Sequence, residues 1–181
     1  MRNIWLISDT HFNHANILNF TDHAGNLTRP EFDNVEQMDE CMIERWNSVV
    51  KPSDIVYHLG DVLFGDNKQE WMDTHWAKLH GKKRLVIGNH DNPKFLMPYF
   101  KKVMLWRQFT EFGLLLSHVP VHETALKRPK PGERQEYEDM FRYHNVHGHI
   151  HTNPSPAPEY HCVCVEQINY TPVNIEELKI A

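Results

Sequence analysis

The sequence predicts an α/β domain, and three observations carry that expectation. Short apolar runs stop abruptly at polar turn residues, stretches with apolar steps of three and four lie between them, and the runs end on residue types that bind metals. Loops at strand ends are where such architectures place their active sites. Each polar cluster includes or adjoins glycine or another turn former, so the chain can fold sharply while the next side chain enters a shared cleft.

Ile4-Trp5-Leu6-Ile7, ending at Ser8-Asp9, reads as a strand buried on both faces. Residues 33–50 carry Val35, Met38, Met42, Trp46 and Val49 at helical spacing, and Pro52 stops that helix. Asp54 to Leu59 reads as the next strand, turned by Gly60-Asp61. A second helix is expected over 67–80, closed by Gly81, and a strand over Arg84 to Ile87, broken at Gly88-Asn89-His90-Asp91. Gly113 to Ser117 delivers His118, Asn145-Val146-His147 leads into Gly148-His149-Ile150-His151, and Tyr160 to Glu166 is strand-like. Asn174, three residues before Glu177, is placed to cap a short final helix. Residues 21–32 and the basic stretch 126–135 read as loops, the latter either solvated or rimming the cleft against an anionic substrate.

Composition narrows the function classes. A chain of 181 residues suits one domain, 1–181, with a sizeable core. With 24 acidic against 19 basic residues, nothing points to a nucleic-acid-coating or membrane-surface protein. The opening MRNIWLISDT turns polar too soon for a secretory signal and no apolar run approaches membrane-spanning length, so a cytoplasmic setting is expected. Three cysteines, Cys41, Cys162 and Cys164, are too few and odd in number for a disulfide framework, and Cys162 and Cys164 read as small core side chains. Fourteen histidines raise the expectation of a metal site.

The polar residues at the strand ends are Asp9 and His11, Asp61, Asn89, His118, and then His149 and His151. A pair of divalent ions roughly 3.5–4 Å apart needs a bridging carboxylate, with imidazole and amide or carboxylate oxygens around it. This set supplies them and contains no thiolate, which disfavours a structural zinc site.

Ser8-Asp9-Thr10-His11, Gly60-Asp61 followed by Gly65, Gly88-Asn89-His90-Asp91, His118 and Gly148-His149-Ile150-His151 resemble the five ordered blocks of the calcineurin-like metallophosphoesterase family. Each block alone is a weak signal, but five in order across residues 8–151 are specific. The stretches DHAGNLTRPEF, MIERWNSVVKPSDIVYHLGD and NYTPVNIEEL further resemble a small bacterial and phage branch of that family. One departure is Ser117 before His118, where many relatives have glycine.

The resemblance implies a four-layer αββα sandwich of two mixed sheets flanked by helices. It also implies that Asp9, His11, Asp61 and His151 hold one metal, that Asp61 bridges, and that Asn89, His118 and His149 complete the second. His90 would be the acid or a phosphate contact, with Asp91 orienting its ring. Arg29, whose planar fork suits phosphate oxygens, and His14, beside the first block, are candidate substrate contacts. His58 is expected to be a packed or hydrogen-bonded core residue.

The expected activity is hydrolysis of a phosphate ester, preferably a diester, by a metal-bridging water or hydroxide. Mn²⁺ is the expected ion, with Fe, Ni²⁺ or Zn²⁺ as other fits. The expected partner is a small phosphorylated molecule such as a nucleotide. Two alternatives stand beside this reading. A nuclease would need a basic groove with exposed aromatics, whereas Lys82-Lys83-Arg84, Lys101-Lys102 and the 127–134 run are short and scattered. A non-catalytic scaffold would show a broken ligand set, whereas this one is intact.

Overall fold

A computed structural model of the chain describes residues 2–127 and 143–180. Residues 128–135 of the basic stretch lie outside that description. Strands β1 (Ile4–Ile7), β2 (Ile55–His58), β3 (Lys82–Val86), β4 (Lys102–Met104) and β9 (Val173–Asn174) form one sheet in the order β4-β3-β2-β1-β9. The first four run parallel, and β9 pairs antiparallel with β1. A second sheet orders β5 (Trp106–Phe109), β6 (Leu114–Ser117), β7 (His144–His147) and β8 (Tyr160–Cys162), with only the β5–β6 pair antiparallel. Two mixed sheets with helices are the expected fold.

Alternation along each central strand explains how both faces become buried. Ile7, Val56 and Leu85 join Met38, Met42 and Trp46 of helix α1 (Val35–Val49) and Trp71 and Met72 of helix α2 (Lys68–His75) in one core. Their neighbours Leu6, Tyr57 and Val86 face the other way, into a second core with Phe109, Leu114, Leu116 and Val146. The first sheet therefore lies between its helices and the second sheet. On the outer face of the second sheet, Leu115 and Tyr160 pack with Leu126 and Tyr143, beside a 3₁₀ turn at Glu123–Ala125.

The expected helix over 67–80 changes to a 3₁₀ turn at Trp76–Lys78 and closes at Gly81, whose φ of +86° suits glycine. The strand expected over Tyr160 to Glu166 ends at Cys162, because the chain leaves the second sheet to meet the first. Ser8 N–H donates to Val163 O (2.8 Å) and Val165 N–H to Ser8 O (3.2 Å). That seam joins the two sheets at the strand ends where the polar blocks lie.

Candidate metal centre

β1, β2, β3, β6 and β7 all end at one edge, and each delivers a polar block there. Asp9 N–H donates to Gly60 O (3.0 Å) and His11 N–H to Asp61 O (3.1 Å), so the loops after β1 and β2 run side by side. Five of the candidate ligands lie in the left-handed region: Asp9 (φ 56°), His11 (48°), Asp61 (56°), His149 (72°) and His151 (49°). Such a conformation in a residue other than glycine costs of the order of 1–3 kcal/mol and concentrates at functional sites. Glycines make the crowding possible. A Cβ on Gly88 would collide with Asp61 Oδ1, one on Gly148 with Ser8 Oγ and Asp9 Oδ2, and one on Gly60 would stand 2.6 Å from His118 Nδ1.

Among the described residues, two groups of ligand atoms gather within 4.8 Å: Asp9 with His11 and His151, and Asp9 with Asp61 and His118. Asp9 Oδ1 lies 3.9 Å from His11 Nε2 and 3.9 Å from His151 Nε2. Asp61 Oδ2 lies 3.8 Å from His11 Nε2 and 3.6 Å from His118 Nε2. His118 Nε2 is 2.7 Å from Asn89 Oδ1, and the His149 ring stands edge-on to His118 at 5.1 Å. The structure thus brings Asp9, His11, Asp61, Asn89, His118, His149 and His151 to one place.

The residues fit a divalent cation. Asp9 Oδ1 and His11 Nε2 are buried with no hydrogen-bond partner, a costly condition that a bound cation would relieve. The supporting bonds have the form expected around a metal. His118 Nδ1–H donates to Leu59 O (2.7 Å) and His151 Nδ1 to Glu166 Oε1 (2.9 Å), which aims both Nε2 atoms inward. Burial, then the Arg29 charge, holds the His11 imidazole neutral, as a ligand requires. Burial pushes the Asp9 carboxyl up from its ordinary value, the reverse of what a bound cation would do. Burial lowers His151, but the Glu166 hydrogen bond and charge outweigh it and its pKa is raised.

Two expectations need correction. Arg29 is fully buried, not a phosphate contact. Its Nη2 donates to Asp9 O (2.7 Å), Nη1 to Thr10 O (2.9 Å) and to the Met38 sulfur, and Nε to Glu166 Oε1 (2.9 Å), with Nη2 also 2.8 Å from that oxygen. Every donor of the guanidinium is engaged. Asp91 does not orient the His90 ring. Its carboxylate accepts from the backbone N–H groups of Asp61 (3.0 Å), Val62 (3.0 Å) and Gly88 (2.8 Å), fixing the β2 and β3 loops to each other.

His90 is exposed, and its backbone N–H donates to Asp61 Oδ1 (3.0 Å). His58 is buried and neutral, its pKa lowered to about 3 by burial. Gly60 N–H donates to His58 Nδ1 (3.2 Å), so Nε2 carries the proton toward Thr10 Oγ1 (2.9 Å).

Sequence reasoning missed three residues. Phe64 is a platform on which His11 and His14 stack at 4.5 Å, with His90 tilted against it at 5.3 Å. Nothing local in the sequence marks it. Glu166 aims His151 and pairs with Arg29; it is a polar residue ending an apolar run, the signal that found the ligands. Cys164, expected as a plain core residue, donates its thiol to Asp9 Oδ2 (3.3 Å).

Carboxylates and imidazoles gathered where two packed mixed sheets end define a candidate metal centre. The chain matches the model of the calcineurin-like phosphoesterases over residues 2–178, and it belongs to that family of metal-dependent hydrolases acting on phosphate esters. It is 34% identical over 183 aligned positions to an uncharacterized protein, MJ1445, of Methanocaldococcus jannaschii, covering 97% of this chain and 89% of that one. The gene 66 protein of Mycobacterium phage L5 is 35% identical over 94 residues, 51% of this chain and 42% of the phage protein. Among solved structures, AQ665 of Aquifex aeolicus, a protein of unknown function, superposes with a TM-score of 0.70 at 28% identity over 98% of both chains. No helix among the described residues is long and apolar enough to cross a membrane.

Proposed function

We propose that this chain hydrolyses small phosphodiesters, nucleotides among them, with two divalent ions held side by side. The observation that carries the pair is Asp61 Oδ2, which faces His11 Nε2 at 3.8 Å and His118 Nε2 at 3.6 Å, imidazoles of two different ligand groups. In this reading Asp9, His11, Asp61 and His151 hold one ion, and Asp61, Asn89, His118 and His149 hold the other. Mn²⁺ suits this oxygen- and imidazole-rich set, with Fe, Ni²⁺ and Zn²⁺ as other fits. When bound, such ions lower the pKa of water and neutralise charge on phosphate oxygens.

The chain's own residues do the rest. Asp91 and Arg29 fix the ligand loops, and Glu166 and Leu59 O set the imidazole tautomers of His151 and His118. His90, exposed beside Asp61 and leaning on Phe64, donates a proton to the leaving oxygen. His14, on the same aromatic platform, lines the cleft.

A diester is favoured because separate cavities border different candidate ligands. One of about 420 Å³ is bordered by Thr21, Asp22, Thr28 and His151. Another of about 670 Å³ is bordered by Asn89 and His118. A phosphate at the centre thus has a cavity near it for each of two substituents.

The test is elemental analysis after saturating Mn²⁺, paired with rates on bis(p-nitrophenyl) phosphate and p-nitrophenyl phosphate. Two equivalents per chain and a diester rate at least equal to the monoester rate are expected. One equivalent or less would overturn the pair, and a strong monoester preference across several metals would overturn the diester. His90→Ala should keep its metal and slow an alkyl diester more than an aryl one, because an alkoxide leaves poorly without a proton.

A further inference from the structure

The larger cavity has a chemical character of its own. Its floor is one face of the β5–β6 pair, where Trp106 stands opposite Ser117 and Gln108 opposite Leu115. The same strand β6 then delivers His118 to the metal centre, so the cavity is continuous with that centre through His118 and Asn89. Leu105, Val119 and Val121 complete an apolar wall. Trp106 is 59% exposed, Leu105 73% and Val119 43%, large apolar surfaces left facing water. Among the described residues lining the cavity, none is Asp, Glu, Lys or Arg.

Each feature limits the occupant. The described lining supplies no cation to meet a second phosphate of a polyanionic strand. The described lining supplies no anion to a quaternary amine either, only the ring itself. An exposed indole beside aliphatic side chains suits a flat, uncharged ring, which stacks on a π-face irrespective of ring type. Gln108, on the same strand face two residues on, can both donate and accept at a ring edge.

We propose that this cavity is a subsite for an uncharged planar ring, an aryl group or a nucleobase, carried on one alcohol of the ester. The proposal rests on the phosphodiesterase reading above and adds to it the nature of one substituent. Trp106 is then the stacking residue, and it acts on ground-state binding.

The experiment compares wild type, Trp106→Ala and Trp106→Phe in two ways. With Mn²⁺-loaded protein, KM is measured for three methyl phosphodiesters whose second group is methyl, phenyl or a 5′-linked nucleoside. With metal-free protein, binding of 2-naphthol and of adenosine, rings without phosphate, is followed by calorimetry. Loss of base–aromatic stacking corresponds to roughly 5- to 100-fold. The expected result is that Trp106→Ala raises the KM ratio of ring-bearing to dimethyl ester by that factor, weakens ring binding to match, and leaves metal content unchanged, while Trp106→Phe restores most of both. A response to phenyl and naphthol alone would make the ring an aryl group, and a larger response to the nucleoside and adenosine would make it a base. Equal KM ratios in wild type and Trp106→Ala, with ring binding unchanged, would overturn the subsite. If no ester is turned over, the phosphodiesterase reading fails, and ring binding by the metal-free protein still decides the subsite.

Discussion

Gly88 and Gly148 show how little room the ligand carboxylates have. Each passes so close to Asp61 or Asp9 that a methyl group would have to displace the carboxylate. Gly88→Ala and Gly148→Ala should therefore leave the circular dichroism spectrum intact while weakening Mn²⁺ binding. Disturbing groups that orient a ligand typically costs roughly 10- to 100-fold in metal affinity. A folded variant binding Mn²⁺ as tightly as wild type would contradict the argument. These glycines were legible because each precedes a ligand in the sequence, as in Gly88-Asn89 and Gly148-His149. Arg29 was not legible. It sits in a polar, proline-containing loop, and the partner that makes it structural, Glu166, is 137 positions away. No local pattern distinguishes a guanidinium reaching outward to phosphate from one folded inward onto a carboxylate.

Helix α1 shows an element whose limits follow from its ends. Asn34 caps it by accepting from Gln37 N–H (2.8 Å), and Val50 leaves in an extended conformation just before Pro52. Asn34→Ala removes that bond and should cost about 1 kcal/mol of stability, read as a lower urea midpoint at constant m. An unchanged midpoint would mean that the core contacts of Met38, Met42 and Trp46 alone set the helix start. The sequence also contained the inner strands, because being buried on both faces gives a continuous apolar run. It did not disclose β4, β5 or β9. Lys102–Met104 and Val173–Asn174 are too short to show a period, and Trp106–Phe109 carries Arg107 and Gln108 in its middle. Tyr160 to Glu166 has strand composition throughout, yet half of it serves the seam with Ser8 and not a sheet of its own.

At the scale of the whole molecule, both sheets spend stability at the edge where they meet. Left-handed residues, orphaned buried atoms and a carboxyl pushed up by burial all lie there, and a cation binding only the folded chain would offset them together. Mn²⁺ at about 100 times its dissociation constant adds roughly 2.7 kcal/mol. For a chain of this size that corresponds to about 5–11 °C in Tm. Calorimetric scans with Mn²⁺ and with EDTA should differ by that much, and in Asp61→Asn the difference should shrink. Identical melting with and without metal would mean that the gathered ligands do not bind the ion in the folded state.

The seam between β1 and the chain around Cys164 also orders events in time. Asp9 leaves the ribosome well before His151, Glu166 and Cys164, which complete and aim its surroundings. Domains tend to fold from the first residues made. The first sheet's parallel core can therefore assemble on the nascent chain while Asp9 and His11 still wait for His151, and the complete ligand set forms only after that later segment is made. A chain that stops short of His151 then lacks the complete ligand set.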